Sequence, residues 1–219
     1  MTEQESCSRP GRPKDAAKRE DIVAAATALF LEKGFALTSM EAVARRAGVS
    51  KLTIYSHFTD KNELFRAIMQ DRCERHAMPD SFVAMADQQP EEALLTIAHR
   101  ALSIVFREDS LRMQRILYAE AARHPKIIEI FYQSGPGRIK IAFADLLRAF
   151  DRQGKLSVAD PEQATEQFFS LLKGERLLRT LMFVLPPPDE KEIDARASAG
   201  VDVFLSAYRP QHTTTSKTK

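Results

Sequence analysis

Thr38-Ser39-Met40-Glu41-Ala42-Val43-Ala44-Arg45-Arg46-Ala47-Gly48-Val49-Ser50-Lys51-Leu52-Thr53-Ile54-Tyr55-Ser56-His57-Phe58 decides how the chain is read. Thr38 with Glu41 three residues on is a capping-box pattern, in which side chains satisfy orphan N–H groups and start a helix. Met40, Val43, Ala44 and Ala47 then fall on one face at helical spacing. Gly48 ends that helix, because glycine accepts the left-handed conformation of a C-cap. Ser50 can cap a second helix, which turns Ile54 and Phe58 inward. Its other face carries Lys51, Thr53, Tyr55 and His57, a short, polar, cationic surface with nothing beside it to bury it. Two helices with this turn and this free face are what a helix-turn-helix offers to the DNA major groove.

Composition is compatible with that reading and narrows the alternatives. At 219 residues, 44% hydrophobic and 28% charged, the chain has material for one large or two small packed domains. The net charge of +2 is unevenly spread: Arg9, Arg12, Lys14, Lys18 and Arg19 stand together against the single acid Asp15. Local basicity, not overall balance, therefore points to a nucleic-acid partner. Of the two cysteines, Cys7 sits in a polar tail, so a structural disulfide is not expected. Cys73 and His76 form a lone C-x-x-H without the second pair that zinc needs, and no metal or cofactor is expected. The absence of a Gly-rich phosphate loop, a metal-spaced cluster or a nucleophile motif argues against an enzyme. With no spanning apolar run and no signal-peptide core, a cytoplasmic location away from membranes is expected.

Outward from the opening stretch, every periodic segment is helical. Residues 1–17 read as a flexible basic arm, and Arg9-Pro10-Gly11-Arg12-Pro13-Lys14 suits a narrow minor groove, with a merely solubilising tail as the alternative. Lys18 to Lys33 forms an amphipathic helix with Ile22, Val23, Ala26, Leu29 and Phe30 inward, and Phe35 and Leu37 bridge onward. Thr59 or Asp60 caps a fourth helix, with Glu63 placed for a second capping box, running to about His76. Residues 79–89 read as a linker. Further helices follow: from Pro90, from about Ser110 to Arg123, a short one with Ile127, Ile128 and Phe131, and one with Ile139 to Phe150. Ser134-Gly135-Pro136-Gly137 reads as a turn. Asp160-Pro161 starts the longest helix, which runs to Pro186-Pro187-Pro188, and Asp189 caps the last. Residues 211–219 read as a disordered tail.

Ala44-x-x-Ala47-Gly48-Val49-Ser50-Lys51-x-Thr53-Ile54-Tyr55-x-His57-Phe58-x-x-Lys61-x-x-Leu64 resembles the DNA-binding domain of TetR (AcrR-like) transcriptional regulators. Ala119-Glu120-Ala121 to His124-Pro125, Phe131-Tyr132 to Gly135-Pro136 and Glu166-Gln167-Phe168 to Lys173-Gly174 are similar to its AefR-like C-terminal subgroup. The resemblance implies an all-α homodimer of about nine helices per subunit, whose N-terminal three-helix helix-turn-helix domain reads DNA. The helical remainder would bind a ligand and dimerise. We expect domains at 18–64 and 65–210. Tyr55, His57 and Lys61 match phosphate-clamping positions; Lys51, Leu52 and Thr53 match positions facing base edges; Thr38, Ser39 and Met40 match the backbone-touching start of the second helix. Ser50 and Arg12 complete the expected DNA-facing set. Leu52 departs from the family's frequent glycine; it could meet a thymine methyl or crowd the groove. Tyr55 is alternatively a half-buried core aromatic, His57 a capping or packing side chain, and Arg45 and Arg46 a solvated face.

A ligand-responsive regulator needs a pocket, for which His99, Phe106, Met113, Tyr118, Glu120, Phe131, Phe143, Gln167 and Phe168 are candidates, suited to a small hydrophobic effector. Phe169, Leu172, Arg176, Leu177, Val201, Phe204 and Leu205 on the last two helices are candidates for a dimer interface built as a four-helix bundle. The expected function is a dimeric repressor on a near-palindromic operator, released by its effector. The rivals are a helix-turn-helix protein acting architecturally or through a protein partner, an enzyme, and a redox switch at Cys73.

Overall fold

A computed structural model describes residues 14–76 and 81–210. Arg12, the 1–13 part of the basic arm and the 211–219 tail lie outside the described residues. Among those described there are ten α-helices, one short 3-10 turn and no strand. They divide into two compact units, one up to Asp71 and one from Arg72.

The first unit comprises α1 (Lys14–Lys33), α2 (Met40–Arg46), α3 (Lys51–His57) and most of α4 (Lys61–His76). α1 begins earlier than the expected Lys18, so part of the expected flexible arm is helical. Its stripe of Ile22, Val23, Ala26, Leu29 and Phe30 is buried together with Phe35, Val43, Ile54, Phe58, Leu64, Phe65 and Ile68. Phe30 stacks on Phe35 at 5.5 Å, and Phe65 meets both edge-on, an arrangement that adds to plain area burial. Leu37, expected to bridge inward with Phe35, is instead 80% exposed.

The second unit holds the 3-10 turn Val83–Met85, α5 (Pro90–Val105), α6 (Glu108–Glu120), α7 (Pro125–Ser134), α8 (Pro136–Arg152), α9 (Pro161–Leu181) and α10 (Glu190–Tyr208). The expected linker is partly core: Phe82 and Ala86 flank the 3-10 turn and are buried, and Lys155 Nζ donates to the Ala86 and Gln88 carbonyls at 2.6 and 3.0 Å. The four-residue turn shrinks to Gly135, since Pro136 already opens α8, as proline's preset φ and missing N–H allow. α9 is the longest helix but is broken at Gly174, with φ 47° and ψ −157°, a combination that side chains other than glycine's hardly reach. The freed carbonyls of Leu172 and Lys173 each accept from Arg196 Nη2 at 3.2 Å. Phe143, Phe168, Phe169 and Phe204 form the aromatic centre of this unit, with Phe143 and Phe168 stacked at 4.5 Å.

Candidate nucleic-acid interface

The turn between α2 and α3 follows from local chemistry. Ser39, not Thr38, is the N-cap of α2: its Oγ accepts from Ala42 N at 3.1 Å. Thr38 is buried, and its Oγ1 donates to the Gly34 carbonyl at 2.8 Å, so the Thr38–Glu41 capping box is corrected by one residue. Gly48 sits at φ 68° and turns the chain as expected. Ser50 caps α3, its Oγ accepting from Thr53 N at 3.0 Å and bonding the Thr53 hydroxyl at 2.8 Å. Asp60 caps α4 through Glu63 N, and Glu63 returns to accept from Thr59 N and Oγ1, both at 2.7 Å. Those two bonds hold the Glu63 carboxyl below its ordinary pKa.

Buried Ile54 and Phe58 anchor α3, and the opposite face stays open: Leu52 is 82% exposed, while Lys51 and Tyr55 are also exposed. Lys51 Nζ pairs with Glu41 at 2.8 Å and lies 5.8 Å from the Tyr55 ring. The bond to Glu41 raises the lysine's pKa, and that to Lys51 lowers the glutamate's. Both groups are solvated, so the pair orients the ammonium without strongly holding it. Glu41, expected as the capping-box partner of Thr38, instead pairs its side chain with Lys51 across the turn. Arg46 is tied to Glu32 of α1 at 2.7 Å, and Arg45 is exposed.

Four expected DNA contacts are placed differently in this geometry. Thr38 and Met40 are buried, so neither side chain reaches a phosphate. Lys61 turns inward: Nζ donates to the Phe35 and Thr38 carbonyls at 2.8 and 3.0 Å and sits 4.3 Å from the Phe35 ring. The loop 34–38 ends α1 with several carbonyls pointing one way, and an ammonium with three donors closes it. His57 is largely buried by its side chain and points Nε2 at Asp15 Oδ1, 3.2 Å away; it packs, as the alternative reading had it. Asp15 lies in the extension of α1 that was read as a flexible arm, which hid the pair.

In the second unit the expected pocket residues stand in different surroundings. Phe143 and Phe168 are stacked and fully buried; Phe106 and Met113 are buried, and Phe131 is half-buried. Tyr118 is 67% exposed, and exposed Gln167 accepts from Tyr208 Oη at 2.6 Å. His99 pairs with Asp194 at 2.9 Å and Glu120 with His124 at 3.6 Å. The expected interface also turns inward. Phe169, Leu172, Val201, Phe204 and Leu205 are buried within the single chain, and Leu177 packs against its core. Arg176 bonds both Glu192 oxygens, at 2.6 and 3.1 Å, and the Thr180 hydroxyl. Each leucine doublet divides, because successive helical residues face different ways: Leu172 points in and Leu171 out, Leu177 in and Leu178 out.

Comparison with known proteins agrees with this architecture. Residues 22–68 match the family described as bacterial regulatory proteins, tetR family, and residues 92–210 match the AefR-like transcriptional repressor, C-terminal domain. The chain is 28% identical to the HTH-type transcriptional regulator TtgR of Pseudomonas putida over 202 residues, covering 87% of this chain and 91% of that protein. The solved structure of the flavonoid-responsive regulator FrrA is similar, with a TM-score of 0.77 and 32% identity over 90% of this chain and 99% of that one. A structure assigned to the TetR family from Mesorhizobium loti has a TM-score of 0.79 and 28% identity, covering 91% of this chain and 100% of that one. With the exposed α3 face set on a capped helix-turn-helix, and both family matches falling in register on the two units, the chain belongs to the TetR family of DNA-binding transcriptional regulators, with an AefR-like C-terminal domain.

Proposed function

We propose that the protein is a dimeric repressor, released from a near-palindromic operator by a small hydrophobic effector. The observation that carries the DNA half is the open face of α3, where Lys51, Leu52 and Tyr55 are exposed and Thr53 is half-buried beside them. Lys51 can neutralise a phosphate or donate to guanine, and Tyr55 can donate to a phosphate oxygen, fixing register. Ser39 and Ser50 stand exposed at the two helix starts, and Arg12 follows the adjacent minor groove. Repression is supported by the AefR-like match, whose description is of a repressor. A response to small molecules is supported by the similarity to a flavonoid-responsive regulator.

The dimer face is the outer side of α9 and α10 together with the segment just after α9, and not the residues turned inward. Leu171, Leu178, Met182, Phe183, Val184 and Val203 are between 40% and 78% exposed, and burying such side chains between two copies is favourable. Two α3 helices would then enter successive major grooves about 34–36 Å apart. The test is selection of bound duplexes from a random pool, followed by sedimentation of the protein alone. Paired half-sites and a dimer at micromolar concentration are expected; a monomer, or a site without two-fold symmetry, refutes the dimeric reader.

A further inference from the structure

On α9, Glu166, Phe169 and Lys173 recur at three and four residues and so share one stripe, across from Lys140 on α8. Lys140 Nζ pairs with Glu166 at 3.3 Å and lies 5.9 Å from the Tyr132 ring. Lys173 is different. It is half-buried, its Nζ lies 5.7 Å from the Phe169 ring, and its ammonium makes no hydrogen bond or ion pair among the described residues. Its position is held by the break at Gly174, where Arg196 Nη2 takes the Lys173 carbonyl. Burial, and after it repulsion from Lys140, pushes the Lys173 ammonium below its ordinary pKa. An ammonium partly withdrawn from water without a protein acceptor is unfavourable, and Glu166 offsets only one of the two lysines.

We propose that Lys173, with Lys140 opposite and the exposed Tyr132 ring beside Lys140, seats the acid group of a small anion with a flat apolar body. A carboxylate or phenolate would supply the acceptor that Lys173 lacks, and the exposed Tyr132 ring would cover an aromatic frame. This rests on the reading of the second unit as ligand-responsive, and it narrows the effector from hydrophobic to hydrophobic and anionic.

The test uses full-length protein and calorimetry with a matched pair of probes, 2-naphthoate and the neutral 2-naphthamide. Comparison within each variant cancels effects on folding. Wild type should bind naphthoate at least roughly tenfold tighter than naphthamide, the scale of a charge-assisted hydrogen bond. Lys173→Met should abolish that preference while leaving naphthamide binding in place, Lys140→Met should reduce it, and Lys173→Arg should keep it. Equal binding of the two probes to wild type, no binding of either at millimolar concentration, or a preference that survives Lys173→Met overturns the seat. Duplex binding measured with each probe separates this from the broader reading. Naphthoate that binds with the expected preference but leaves DNA affinity unchanged refutes effector release and leaves the seat standing. DNA affinity lowered equally by both probes does the reverse.

Discussion

Lys61 offers the sharpest separation between a structural and a DNA-contacting role. Its ammonium donates to the Phe35, Thr38 and Ala36 carbonyls of the loop 34–38, at 2.8, 3.0 and 3.4 Å, and lies 4.3 Å over Phe35. Hydrogen bonds to a charged group contribute about 1.5–3 kcal/mol each when well formed. Because this site is half open to water, Lys61→Met should cost the first unit about 2 kcal/mol in all. At about 1.4 kcal/mol per factor of ten, opening of that unit rises roughly 30-fold. Hydrogen exchange of the full-length protein, followed by mass spectrometry on peptides covering α1 and the loop, reads this directly. DNA binding gives the complementary measurement. A lost phosphate contact lowers the slope of log K against log salt by about 0.9, and the inward ammonium predicts no such change on a random-sequence duplex. Unchanged exchange together with a slope reduced by about 0.9 per protomer would refute the argument and restore Lys61 as a phosphate clamp.

Leu52→Gly removes the apolar side chain from the open face of α3, so duplexes selected by the variant should differ from those selected by wild type, while affinity for random DNA stays within about twofold. Phe168→Ala leaves a cavity against Phe143, Phe169 and Phe204 and should cost about 3–5 kcal/mol, read as a lower thermal midpoint of the second unit. Gly174→Ala forces a side chain to φ 47°, at about 1–3 kcal/mol by denaturant titration; an unchanged midpoint would mean that the break in α9 straightens. Arg176 holds the Glu192 carboxyl below its ordinary value of 4.5. A depressed carboxylate stabilises the fold above its unfolded pKa, and that contribution is lost as pH falls through the lower folded value. Thermal unfolding of wild type should therefore weaken more steeply than that of Glu192→Gln over about pH 3 to 5.

Local signals in the chain decided the reader. The spacing Met40-Val43-Ala44, the glycine at 48 and the serine at 50 act over a few residues, and each behaves as its chemistry requires. Ser39 displaced Thr38 as the cap because two adjacent hydroxyls compete for one role, and the Gly34 carbonyl draws Thr38 inward. Lys61 was legible as a cation but not in its direction, since the carbonyls it closes lie more than twenty positions back in the chain.

By itself, then, the sequence determined an all-helical chain, its helix-turn-helix, the open face of α3 and the family to which both belong. These rest on periodicity, capping and turn chemistry, which are properties of neighbours in the chain. The tertiary structure alone decided which face of each C-terminal helix is core. Apolar doublets at 171–172 and 177–178 mark helix without saying which member turns inward, and only packing against α5, α8 and α10 chooses. It alone paired His57 with Asp15, bent α9 at Gly174 and left Lys173 half-buried without an acceptor. Long-range contacts of that kind depend on where the chain returns in space, and no local pattern encodes the return.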